Sequence, residues 1–355
     1  MNFDVLIIGA GPIGSSLACK LSSFGLKVAL ADKKATIGKQ ACSGLFSRRI
    51  TKYFDLEDDM IENVVEGAIF HTKSCDFEVR KGKPEALVVN RLKFDRFILK
   101  KAADSGAYTL FGTRPISYLR TNEGIKTYLE NAKSSLEITA KLIIGADGAS
   151  STVRQTFNLK SNLRYVNGIL SYYPIKNTSP LVELYYSPNI APGFFAWKIP
   201  RGNRTEFGLA TDTRHNHLEY FKRFLKKFNL KLSRFHAHPI CFGNQKSVSD
   251  HALLIGDAAA QVKPFSGGGI IYGLLCADIA AKAISQAFDK NDFREEFLKE
   301  HYEDKWKQKL MPKIELGMGI RNILDSLSDR ELDTFFETLK DQKNAIESLG
   351  DMDFL

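Results

Sequence analysis

The sequence predicts a mixed chain, α/β in its first part and α+β as a whole. A parallel sheet wound with helices carries an inserted antiparallel sheet, and the C-terminus is helical. Three observations predict this. Strand, glycine-rich turn, helix and second strand follow one another within the first 32 residues. Two later apolar runs, near residues 142 and 251, end in turns that pair Gly with Asp. Residues 164–210 are rich in Tyr, Phe, Pro and Gly with alternating polarity, which is the pattern of an antiparallel sheet.

Residues 3–8 (FDVLII) are short, β-branched and bounded by glycine, so they read as a fully buried strand. The helix after Gly14 runs to about Phe24 and is closed by Gly25. A second buried strand, residues 27–31, delivers Asp32 at its carboxyl end, completing a βαβ unit of the Rossmann type. Residues 33–50 have loop composition. Residues 87–90 give another strand, and residues 91–103 a helix with Leu92, Phe94, Phe97 and Ile98 as its apolar stripe. Strands are expected at 142–144 and 251–255, helices at 220–228 and about 268–288. Beyond Asp289 the chain is charged and helical, with Pro312 as a break.

The 355 residues allow two or three domains. Fifty Lys and Arg against 41 Asp and Glu give +9, a balance that favours anionic partners. The five cysteines (Cys19, Cys42, Cys75, Cys241, Cys276) are scattered, with no C-x-x-C pair. That spacing supports neither a disulfide framework nor a zinc site, and a reducing compartment is expected. No apolar run reaches the roughly 18 residues that span a bilayer, and Asp4 precedes a run too short for a signal peptide. A soluble or peripheral cytoplasmic protein is the expectation. His236 and His238 have no third ligand in view, so no metal site is expected, and no motif supports nucleic-acid binding.

The first chemical motif is Gly9-x-Gly11-x-x-Gly14 with Asp32 beyond it. Gly9 permits the tight turn, Gly11 lets the backbone approach a pyrophosphate, and Gly14 lets the helix pack close to the strand. The helix N-terminus offers unpaired N–H groups and a positive dipole end to the anion. Asp32 is placed to accept from a ribose hydroxyl, which disfavours a 2′-phosphate and hence NADP at this site. Gly145-Ala146-Asp147-Gly148 and Gly256-Asp257-Ala258-Ala259 each end a buried strand. Pro264-Phe265-Ser266-Gly267-Gly268-Gly269-Ile270 then leads into a long apolar helix, freeing several N–H groups.

With these three motifs in this order, the chain resembles the FAD-dependent oxidoreductases of the p-hydroxybenzoate hydroxylase type. The resemblance implies FAD as cofactor, with Asp257 on the ribityl chain and Arg91 on the pyrophosphate. It sets the isoalloxazine beside Gly268, Gly269 and Ile270, where a helix N-terminus would stabilise the negative charge of reduced flavin. Within that type the sequence is similar to the geranylgeranyl reductase family. Ile37-Gly38 with Cys42-Ser43-Gly44 is close to that family's Cys-Gly segment. Phe195-Ala196-Trp197-Lys198-Ile199-Pro200 is similar to its aromatic-x-Trp-x-x-Pro motif, and residues 256–270 match its Gly-Asp-Ala-Ala…Gly-Gly-Gly-Ile segment.

This resemblance implies a cofactor-binding set of Gly9, Gly11, Gly14, Asp32, Lys33, Cys42, Ser43, Gly44, Arg91, Asp257, Gly268, Gly269 and Ile270. It assigns the FAD-binding domain to residues 1–60, 86–160 and 246–288, and the substrate domain to 61–85 and 161–245. Residues 289–355 form the C-terminal helical region. The implied reaction saturates C=C bonds of isoprenoid chains in membrane lipids or quinones, with hydride to one carbon and a proton to the other. Cys42 is either the proton donor or a small residue shaping the flavin pocket. Phe195 and Trp197, with Phe194 and Pro264, either line an apolar tunnel or, for the aromatics, fill the sheet core. The electron donor is NAD(P)H, a ferredoxin or another reduced carrier.

Two other classes stay open on the same scaffold: an aromatic or quinone monooxygenase, and a non-catalytic flavin- or lipid-binding protein. Residues 221–228 (FKRFLKKF) put apolar side chains on one helical face and cations on the rest. They read either as a docked helix with a solvated basic face or as a contact with the anionic inner face of the cell membrane.

Overall fold

In a computed structural model of the chain, all residues except 39–41, 133, 354 and 355 are described, Leu349 without its side chain. The loop reading of residues 39–41 therefore lies outside the described residues. The chain divides into two compact units, one of residues 1–39, 92–164 and 241–315 and the other of 40–91, 165–240 and 316–355.

The first unit holds an eight-stranded sheet. Its parallel part runs in the order Ala252–Leu254, Ser135–Gly145, Asn2–Ile8, Val28–Asp32, Tyr108–Phe111. Ile8 pairs with both Ala31 and Gly145, and Gly145 pairs with Leu254, so four strands end at one edge. That edge is where a doubly wound sheet presents its ligand loops. The core strands read as continuous apolar runs because both faces are covered: Val5, Leu6, Ile7, Leu142, Ile143 and Ile144 are all fully buried. The Ser135–Gly145 strand extends well upstream of residues 142–144, because its first half pairs with Gly124–Glu130 in a hairpin. Helix Pro12–Ser23 starts with Pro at its first turn and ends before Gly25 (φ +83°).

Helix Ile270–Lys290 corrects one expectation. By length and composition it is apolar enough to cross a bilayer, yet 67% of its most apolar window is buried within the protein. Gly273 sits against Ile13 of the first helix, so this is a core helix of the unit.

The second unit is built on a seven-stranded sheet. Antiparallel pairs such as Ile169↔Leu209, Trp197↔Gly208 and Leu184↔Trp197 form its centre, and Leu181–Tyr185 runs parallel to Gly67–His71. A three-stranded sheet of Leu45–Ser47, Ala86–Val89 and Ile61–Val65 accompanies it. The loop expectation for residues 33–50 is thus corrected at its end. Leu45–Ser47 is a strand because Phe46 and Ser47 find partners in Leu87 and Ala86, and Arg48–Lys52 is a 3₁₀ turn. Residues 42–60 and 86–91, which the sequence reading groups with the nucleotide-binding part, fall in this unit.

Helix His217–Lys226 docks Phe221, Phe224 and Leu225 on Phe207 and Tyr185 of the large sheet, leaving Arg223, Lys226 and Lys227 exposed. The expected break at Pro312 does not occur: Asp304–Ser326 is one helix that contains it. Trp306, Leu310 and Ile314, all fully buried, hold the turns on both sides of the proline in place, so tertiary packing overrides its helix-breaking tendency.

Candidate functional site

In the first unit the three glycine-rich motifs meet at the carboxyl edge of the sheet. A Cβ on Gly9 (φ +109°) would lie 2.3 Å from the Ala146 carbonyl oxygen, and one on Gly14 would lie 2.0 Å from that of Gly9. Gly11 has nothing within 4 Å of such an atom: open space stands over the helix N-terminus. No side chain caps that N-terminus among the described residues. Asp32 uses Oδ2 to accept from the Ala10 N–H (2.9 Å) and Oδ1 to accept from Lys34 (2.8 Å). A carboxylate has about four lone-pair positions, so it retains acceptor capacity. Lys33 beside it is exposed.

Ile13 packs against both Gly256 and Gly273, which brings the first and third motifs together. Asp257 lies in the 3₁₀ turn Gly256–Ala259, and its Oδ1 is 2.8 Å from where a Gly269 Cβ would stand. The carboxylate therefore rests on the glycine run that begins helix Ile270–Lys290, another N-terminus without a side-chain cap among the described residues. Gly268 faces the buried side chain of Lys263, and Pro264 is buried at the turn before it. Asp147 takes a structural part. Its Oδ2 accepts from the backbone N–H (2.7 Å) and hydroxyl (2.9 Å) of Thr152 at the start of helix Thr152–Thr156.

Two residues here escaped sequence reasoning. Buried Arg154 donates to the carbonyls of Ala149 (2.6 Å) and Ala258 (3.2 Å), stitching the second motif to the third. Lys263 is the other. Each was one cation among fifty, and only burial distinguishes them. Exposed Arg96 donates to the Ile37 carbonyl (3.2 Å).

The second unit gathers Cys42, Ser43, Gly44, Arg91 and Trp197 around one buried ion pair. Gly44 has φ +64°, and its carbonyl accepts from the Val89 N–H (2.8 Å). A Cβ there would strike the Val89 oxygen at 2.1 Å. Cys42 is half-buried, and buried Arg91 lies over the Phe46 ring at 5.8 Å. Trp197 donates its indole N–H to Glu206 (2.8 Å), with its ring against Gly208 on the facing strand. Glu206 in turn pairs with Arg201 (2.9 Å), and the two side chains are 0% and 1% exposed. Arg201 donates also to Glu62 (2.6 Å), to the Val89 carbonyl (3.2 Å) and to the Ser43 carbonyl.

Beside this cluster opens a groove of about 640 Å³, walled by Ile61, Tyr172, Tyr173 and Pro174 with Glu62, Arg201 and Arg204. The Arg204 guanidinium stacks 4.3 Å from the Tyr172 ring centre. Burial pushes the Tyr172 hydroxyl pKa up, with Glu206 and Cys42 adding to the rise and Arg201 and Arg204 opposing it. Phe195 is 7% exposed and stacks on Phe194 (4.5 Å), within an aromatic cluster with Tyr186 and Phe336.

The family described as "FAD binding domain" matches residues 2–204. The digeranylgeranylglycerophospholipid reductase of Methanocaldococcus jannaschii is 30% identical over 97% of this chain and 92% of its own length. That of Methanosarcina acetivorans is 29% identical over 99% and 91%. The chain belongs to the geranylgeranyl reductase family of FAD-dependent oxidoreductases. Among solved structures, a geranylgeranyl bacteriochlorophyll reductase-like protein from Thermoplasma acidophilum superposes with a TM-score of 0.87. It shares 21% identity, over 96% of this chain and 91% of the other. The p-nitrophenol 4-monooxygenase of Pseudomonas putida gives 0.74 at 15% identity, over 99% and 95%. Both likenesses concern the fold.

The first unit of this reductase-family chain fits FAD. The space over Gly11 and the uncapped helix N-terminus suit a pyrophosphate, and Asp32 has acceptor sites to spare for a ribose hydroxyl. Asp257 and the backbone at Gly268, Gly269 and Ile270 bring a carboxylate and a helix N-terminus with no side-chain cap among the described residues to one place, which suits a ribityl chain and a flavin ring edge. When bound and reduced, FAD supplies hydride. The protein's share is to bind, orient and keep water out.

Proposed function

We propose that this chain saturates C=C bonds in the geranylgeranyl chains of glycerophospholipids. The observation that carries the reading is the full-length likeness, 30% over 97% of the chain, to a digeranylgeranylglycerophospholipid reductase. The chemistry agrees with it. An unactivated alkene offers little charge to grip, so it must be held by shape against the reacting groups, with a proton donor close by. The Trp197 ring, the groove walled by Tyr172 and Tyr173, and the half-buried thiol of Cys42 supply an apolar surface and a donor within one unit. We assign Cys42 as that donor. NAD(P)H, a ferredoxin or another reduced carrier supplies the electrons.

A lipid substrate also argues for a peripheral place on the cytoplasmic face of the membrane. From Lys222 to Ser249 the chain contains no acidic residue. Exposed Arg223, Lys226, Lys227, Lys231 and Arg234 lie in this stretch with Phe235, which is 41% exposed. Each such cation contributes about 1 kcal/mol of attraction to an anionic surface. The protein should float with anionic vesicles at low salt and not with neutral ones, and Lys226→Glu with Lys227→Glu should abolish flotation. Equal flotation of wild type and variant would remove this location.

The activity itself is tested with dithionite-reduced protein and digeranylgeranyl phospholipid in the absence of oxygen, the lipid being read by mass. A gain of two hydrogens per double bond is expected. Unchanged lipid, or a hydroxylated product that forms only with oxygen, would overturn the reading in favour of a binding protein or a monooxygenase respectively.

A further inference from the structure

We propose that Arg201 and Glu206 form a positioning pair for the reaction, locking the Cys42 segment and the Trp197 ring to a common anchor. The proposal rests on the functional reading above, and its observations are geometric. Trp197 and Glu206 share one face of the sheet, since the register pairs Trp197 with Gly208 and Ile199 with Glu206. Glu206 accepts from the Trp197 indole (2.8 Å) and from Arg201 (2.9 Å), which fixes the ring's rotation. The same guanidinium donates to the carbonyl of Ser43, the residue next to Cys42, and to that of Val89 (3.2 Å). Val89 is hydrogen-bonded back to Gly44 (2.8 Å), closing the ring of contacts around the Cys42 segment. Glu62 completes the cage by accepting from Arg201 (2.6 Å), Arg204 (2.8 Å) and Asn90 (2.8 Å).

A buried ion pair is a poor way to gain stability, because apolar side chains of similar volume generally do as well or better. Its use is geometric: a planar fork with five donors fixes several acceptors at once, which an apolar side chain cannot do. Here the acceptors belong to the loop that carries the thiol and, through Glu206, to the ring of Trp197. Neither residue need touch substrate.

The test compares Arg201→Met with Glu206→Met, made together, and Arg201→Lys made alone. The double variant removes both charges and leaves no uncompensated one. The lysine variant keeps the pair with Glu206 but gives up the fork. Three quantities are read: flavin content, steady-state kcat and KM on digeranylgeranyl phospholipid, and the rate of Cys42 alkylation by iodoacetamide, located by mass. The pair as a positioning device predicts normal flavin content, kcat lower by about a hundredfold, as sub-ångström to ångström misplacement costs, and Cys42 alkylated several-fold faster in the double variant. Arg201→Lys should fall between wild type and double variant in both kcat and alkylation. Wild-type kcat together with wild-type alkylation in the double variant would reduce the pair to packing. If the double variant does not fold, the lysine variant decides by the same two readings. If wild type reduces no lipid, the functional reading has failed, and the alkylation rates still decide whether the pair holds the Cys42 segment.

Discussion

The two units solve the problem of building a site in opposite ways. The first offers mostly backbone: Gly9, Gly11 and Gly14 leave room, helix N-termini present N–H groups, and Asp32 and Asp257 add carboxylates beside them. The second uses buried side-chain charge: Arg201, Glu206 and Glu62 tie the loop at Ser43 to the indole of Trp197. The difference teaches where each kind of damage should appear. Harm to the first unit should cost the cofactor. Loss of the buried charges Arg201 and Glu206, or of another buried charge in the second unit, should spare the cofactor and cost turnover or acid stability.

The sharpest break of that comparison is Gly14→Val. Its Cβ, whose place the backbone fixes, would overlap the Gly9 carbonyl oxygen at 2.0 Å, so no side-chain rotation relieves it. The purified variant should carry no flavin absorbance, whereas a yellow variant would show that the fingerprint turn is not the nucleotide site. Next comes Cys42→Ala, on the other side of the comparison. Flavin content should be normal while turnover falls by about 10²–10⁴, the usual span for loss of a general acid. An unchanged rate would leave Cys42 a packing residue. Asp257→Ala returns to the first unit and should weaken flavin retention by about 10- to 100-fold, as loss of a charge-assisted hydrogen bond does. Dialysis against flavin-free buffer measures it, and full retention would displace Asp257 from the site.

The smallest effect concerns charge and pH in the second unit. Burial would raise the Glu183 pKa, but His71, Lys198 and Tyr185 outweigh it and hold the carboxyl down at about 2. Lys198 is 2.7 Å away and His71 3.5 Å. Burial alone would lower the His71 pKa, but Glu183 and Asp76 raise it above its ordinary 6.5. The depressed Glu183 stabilises the fold above its ordinary 4.5 and loses that contribution as pH falls through about 2. The raised His71 stabilises below 6.5 and loses its part as pH rises through its folded value. The difference in Tm between wild type and Glu183→Gln should therefore be widest between about pH 5 and 6.5 and narrow on both sides. A gap that does not change with pH would contradict these shifts.

The same contrast explains what could be read from the sequence. The βαβ unit, the three glycine-bearing turns and the long helix from Ile270 were legible because their signals are local: short apolar runs, fixed glycine offsets, an acid at a strand end. The ion pair was not. Arg201 follows Pro200 in a turn and looks like any loop cation, and its partners lie at residues 43, 62, 89 and 206. One signal was present. Glu206 precedes the mostly apolar run Phe207–Ala210 in strand Thr205–Asp212, which is buried throughout, and a buried acid requires a partner. The Leu45–Ser47 strand and the unbroken helix through Pro312 escaped for a related reason: distant packing, not local propensity, decides both.

The most direct measurement is anaerobic single turnover. The protein is reduced by titration, excess reductant is removed, and digeranylgeranyl phospholipid is added while flavin absorbance and lipid mass are followed together. The account predicts that oxidised-flavin absorbance returns without oxygen, with one double bond saturated for each flavin. Flavin that stays reduced in the presence of lipid and reoxidises only when air is admitted would contradict it.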